Sequence, residues 1–147
     1  MASIAEQTLD GFKAALLGQI AGVDQNVARA RADPFSFDEA PWINIERGEE
    51  NSRVFGEAAD DNELSVAVEI GVKATQDEVW ETKADAIAVQ VHRKLFAYTA
   101  WPPSVARLRK TGSIALRDEA SNTAGKLTLT YVVRFLTAAD DLESGPG

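Results

Sequence analysis

The chain has 147 residues, 45% of them hydrophobic and 26% charged, with no cysteine. That is enough for one domain with a core of its own, and it excludes a disulfide framework, a thiol nucleophile and a thiolate metal site. A net charge of −8 argues against a general nucleic-acid binder, which needs a basic footprint to displace counterions from phosphate.

Residues 3 to 21 read as a helix, because Leu9, Phe12, Leu16 and Ile20 recur three or four apart on one face. Ser3 with Glu6 forms a capping-box pattern, Gly22 is the expected stop, and Gly11 costs about 1 kcal/mol against alanine. Residues 25 to 41 contain Asp33-Pro34 and Ala40-Pro41. The residue before a proline is pushed out of the helical region, so this stretch is expected to be extended and irregular. Trp42 to Glu46 reads as a short strand with Ile43 and Ile45 on one face. Residues 47 to 63 then read as a long polar loop or hairpin excursion, longer than an ordinary connection.

Leu64, Val66, Val68, Ile70 and Val72 alternate with small or polar residues, the period of a strand with one buried face. Burying them is worth on the order of 10 kcal/mol before chain entropy is subtracted. Thr75, with Glu78 three residues on, is the expected cap of a second helix. Its apolar stripe is Trp80, Ala84, Ile87, Val91, Leu95 and Tyr98, and Trp101-Pro102-Pro103 ends it. Residues 105 to 117 predict a strand with a bulge at Gly112-Ser113. Residues 118 to 125 carry turn residues. Residues 125 to 137, GKLTLTYVVRFLT, predict the last strand. The domain is thus expected over 1–137, with a loosely ordered polar tail over 138–147.

Helix, strand, strand, helix, strand, strand is the order of an α+β domain, an antiparallel β-sheet with two α-helices packed on one face. In the last strand Leu127, Leu129, Tyr131, Val133 and Phe135 point one way, while Val132 and Leu136 point the other. With Ala67 and Trp42 they leave apolar residues on a face that no predicted element covers, so another chain is expected to cover it.

Charge is segregated along the sequence. From Asp38 to Glu63 there are nine acidic residues against Arg47 and Arg53, whereas Ala86 to Arg117 has no acidic residue. The ordinary explanation is a solvated face beside an acidic loop. The functional one is a surface where copies meet by opposite charge.

Little in the sequence points to catalysis. His92 has no metal-binding spacing. Asp60-Asp61 and Asp140-Asp141 lack the pattern of a calcium loop. Ser113 has no nucleophile elbow around it, and no glycine-rich phosphate loop is present. No catalytic, cofactor-binding or metal-binding residue is expected. The opening residues lack the basic start of a signal peptide, and no run nears the about 18 apolar residues that span a bilayer. The expectation is a soluble intracellular protein.

Taken together, IAEQTLDGFKAALLGQI, APWINIERGEE, ELSVAVEIGVKA, DEVWETKADAIAVQVHRKLF and TAGKLTLTYVVRFLT resemble the tail terminator family of long-tailed phages, which includes minor tail proteins of the lambda U type. The resemblance covers nearly the whole chain and rests on element order. The long acidic excursion and the Trp-Pro-Pro depart from the pattern. What it implies is a virion protein, made in the host cytoplasm, that caps the head-proximal end of the tail as a hexameric ring. That ring would contact the tail tube protein and the head-tail connector, and DNA would pass through its lumen without specific binding. Arg47, Arg53, Phe55, Trp101, Arg107, Arg109, Lys110, Val132 and Leu136 are the candidate interface residues. The alternatives are a head-completion adaptor of the phage neck and a small ligand-binding or enzyme domain.

Overall fold

A computed structural model describes residues 2–29, 31 and 33–146. Among them the order is α1 (Ile4–Leu16), β1 (Val27–Arg29), β2 (Trp42–Val54), β3 (Ala59–Lys73), α2 (Trp80–Ala97), β4 (Val105–Arg117) and β5 (Ala124–Ala138). The strands form one five-stranded sheet in the order β1-β2-β3-β5-β4. The fold is α+β, as expected, but the sheet is mixed. β2, β3, β5 and β4 pair antiparallel, while β1 runs parallel to β2, with Val27 opposite Ile43.

Both helices lie on one face. The alternating set on β3, Leu64, Val66, Val68, Ile70 and Val72, is fully buried beneath them. On β5, Leu129, Tyr131, Val133 and Phe135 join that core, and α2 contributes Trp80, Ala84, Ile87, Val91 and Leu95. Side chains on a strand alternate between faces, so Ser65, Ala67, Thr130 and Val132 point to the opposite side.

Several boundaries differ from the expected ones, each for a local reason. α1 is capped by Ser3, whose hydroxyl accepts from the Glu6 N–H at 3.2 Å, but it stops at Leu16. Gly18 at φ +72° turns the chain and donates to the Asp24 carbonyl. Ile20 therefore enters the core from a turn instead of a helix face. α2 begins at Trp80, because Glu78 accepts from Thr75 in a separate turn ahead of it. Of the two expectations for residues 47 to 63, loop or hairpin excursion, the structure shows the hairpin. β2 and β3 continue as a hairpin arm to a turn at Gly56, where φ is +78°, and β5 stays paired with β3 as far as Ala59. The register slips between Arg47 and Glu50, and a bulge of this kind adds twist to the arm. β4 shows register shifts between Val105 and Arg107 and between Lys110 and Gly112, the second just ahead of the Gly112-Ser113 position expected.

The segment after β5 is hydrogen-bonded back onto the domain. Ile4 N–H donates to the Leu142 carbonyl at 2.8 Å, and Ala138 N–H donates to the Ser144 carbonyl at 3.0 Å.

Candidate assembly surfaces

Ala59, Asp61 and Asn62 behind the turn of the β2–β3 arm are buried, and only the turn itself projects. Val54 is 80% exposed and Phe55 52% at its tip. Close behind the turn, the arm is tied to β5 by charge. Asp61 takes Nε and Nη2 of Arg134, both at 2.9 Å, and Nη2 of Arg53 at 3.0 Å. The Asp61 side chain is only 2% exposed, because two guanidinium side chains close over it at the rim of the sheet and not because it sits deep in the core. Arg134 above all holds its carboxyl below the usual carboxylate range; burial opposes this, and Arg53 adds a further lowering. Beside it, the Asn62 amide donates to Thr137 Oγ1 at 3.0 Å. Arg47 stands farther back on β2, paired with Glu50 at 2.9 Å and reaching Glu6 of α1 at 3.4 Å.

β4 is the opposite edge of the sheet and is exposed along most of its length. Arg107 and Arg109 lie on the uncovered face, opposite Arg134 and Val132 of β5, while Lys110 lies on the helix side opposite Tyr131. Among the described residues, Arg107, Arg109, Lys110 and Arg117 have no carboxylate partner. An edge strand rich in Lys and Arg resists uncontrolled strand addition, and it also leaves four cations for an acidic partner.

The uncovered face is less apolar than the sequence suggests. Its centre is Ser65, Ala67, Thr130 and Val132, all half-buried. Glu69 and Lys126 pair across it at 2.6 Å. Trp42 is buried by its own chain, stacked on Phe35 with ring centroids 5.2 Å apart. Leu136 borders a recess shared with Ser104 and Gly145. Trp101 lies away from all these surfaces. It packs on α1, with Phe12 at 5.3 Å and Tyr98 at 4.8 Å between centroids.

Three groups of candidates thus emerge: the arm with Arg53 and Phe55, the β4 edge with Arg107, Arg109 and Lys110, and the face between them with Val132. Sequence reasoning passed over Val89, Ile114 and Leu116, which are 43%, 57% and 54% exposed. Past the bulge, the alternation of β4 sends Ile114 and Leu116 to the uncovered face, and that was the signal available. A recess of about 450 Å³ lies there, walled by Phe35, Trp42 and Leu116 with Glu69 and Lys126 at its base.

Titratable groups elsewhere do not converge. His92 Nδ1 lies 3.0 Å from the Tyr131 hydroxyl, and burial pushes that phenol up to about 12. Among the described residues no cluster of three or more His, Asp or Glu side chains is arranged to hold a metal ion. No helix among them is long and apolar enough to cross a membrane.

No family model and no curated protein matches the chain. Among solved structures, the chain shares its fold with a component of "Virion of native gene transfer agent (GTA) particle". The TM-score is 0.53 at 14% identity, over 91% of this chain and 92% of that one.

Proposed function

We propose that this protein is a structural component of a phage-like virion, closing the head-proximal end of the tail as a ring. The observation that carries the reading is the shared fold with a virion chain, which spans nine-tenths or more of both chains. The element order that resembles tail terminators supports the finer assignment.

The surfaces fit such a part. A ring of identical copies needs a heterologous contact, one patch against a different patch of the neighbour. The acidic arm and the unpaired basic edge of β4 are such a pair. Val132, Arg107 and Arg109 form the adjoining part of the contact. The net charge of −8 suits a lumen through which DNA slides, because negative walls repel phosphate instead of retaining it. The faces left free by the ring would meet the tail tube protein on one side and the head-tail connector on the other. In this role the chain performs no catalysis and needs no cofactor.

Light scattering and electron microscopy of the purified protein, alone and with tail tubes, test the reading. Rings, free or seated on tube ends, are expected. A monomer at every concentration that also ignores tubes would overturn it. If that monomer bound a small molecule in the recess beside Trp42, a ligand-binding domain would replace it.

A further inference from the structure

The tip of the arm and a groove on the far side of the molecule are unsatisfied in complementary ways. The groove lies between α2 and β4, has a volume of about 330 Å³, and is floored by Leu127 and Leu129 with Ala88 and Val89 on its helix wall. It is left open because α2 covers β3 and β5 but stops short of the edge strand, so Val89 stays 43% exposed. Lys110 of β4 and Arg93 and Asp85 of α2 complete its lining. The tip presents Val54 and Phe55, then Glu57. Between Glu49 and Glu63 the arm carries six acidic residues and Arg53, while β4 carries four basic residues and no acid.

One chain cannot join its own two halves. The tip turns beyond Ala59, and the groove floor lies at Leu129, which pairs with Val68 of β3. Nine residue steps along β3 separate those levels, about 30 Å at a strand's rise, and β5 stands between β3 and the groove's β4 wall.

From this geometry we infer that the arm of one copy docks into the α2–β4 groove of a second copy, with Phe55 seated over Leu127 and Leu129 against Val89. Glu57 then meets Lys110 and Arg93, and Arg53 meets Asp85. An aromatic anchor in an apolar slot with a charged rim is the usual anatomy of a contact in which a few residues dominate affinity. Each copy gives an arm and offers a groove, so the contact propagates from copy to copy. Its closure into a circle rests on the ring reading above.

The absence of cysteine permits a direct test. Phe55→Cys and Val89→Cys are introduced together, and the protein is treated with a short bis-maleimide. A ladder of covalent oligomers is expected from the double variant, with no species beyond a dimer from either single variant. Phe55→Ala should weaken association about 10-fold or more. Glu57→Lys and Lys110→Glu should each weaken it and together restore it. Both positions are exposed, so unchanged melting confirms that the variants fold. Rings that persist in Phe55→Ala, with no ladder from the double variant, overturn the groove assignment and leave the ring reading standing. A wild-type protein that stays monomeric at all concentrations and with tubes overturns both.

Discussion

The indole of Trp80 lies flat against Gly125, so close that a Cβ at that position would stand 2.6 Å from the ring. The same device recurs twice. Trp101 covers Gly11, where a Cβ would stand 2.8 Å from the ring, and Trp42 crosses Gly71 with even less room. Each tryptophan docks a different piece onto the domain: α2 onto β5, the segment after α2 onto α1, and the start of β2 across β3.

Gly125→Ala, Gly71→Ala and Gly11→Ala should each destabilise the monomer by about 1–3 kcal/mol through overpacking. Urea unfolding measures this. Gly112→Ala, where a Cβ meets nothing, is the control and should change little. Equal effects at all four would mean that the tryptophans do not set the spacing.

The Asp61 cluster makes the arm pH-dependent. Its carboxyl has a folded pKa below the usual value. Such a group contributes stability above the unfolded value, near 4, and that contribution is lost as pH falls through the folded value. The wild type should therefore keep protection of the amides of residues 52 to 62 down to about pH 4 and lose it below that. Asp61→Asn should show weak protection at neutral pH and less further loss. Hydrogen exchange as a function of pH reads both, and identical profiles for the two proteins would remove the cluster as the clamp.

Reversal of Arg107, Arg109 and Lys110 to Glu should weaken self-association and leave the monomer folded, since all three are exposed and unpaired. Raising salt should weaken wild-type association in the same direction, because exposed charges are screened. Light scattering is the measurement. Unchanged assembly in the triple variant would take the β4 edge out of the contact.

Val132→Asp separates the uncovered face from the core. Val132 is half-buried between Ser65 and Arg109, so the monomer's stability should shift by less than about 1 kcal/mol. Self-association should fall. A large loss of monomer stability with unchanged association would mean that this face serves only its own domain.

The parts of the fold that could be read from sequence are those that bury something. Leu64 to Val72 alternate because one face of β3 is sealed, and every one of those side chains is fully buried. The stripe of α2 was legible for the same reason. The arm was hidden because its β2 half buries little. With nothing to bury on either face, residues 47 to 54 carry no apolar alternation and read as loop. β1 escaped notice because it is three residues long and pairs parallel with β2, which needs no hairpin signal. Ile20 misled the end of α1: its spacing continued the helix, while Gly18 had already turned the chain. Charge segregation pointed to the arm and to β4. It did not show that Glu69 and Lys126 neutralise the face between them, so that face is less greasy than Val132 and Leu136 implied.

Tail length in particles made without this protein tests the central claim most directly. A tail-capping ring predicts overlong tails without heads when the gene is deleted, and normal lengths when it is restored. Tails of normal length beside leaking heads would contradict it and assign the protein to the neck instead.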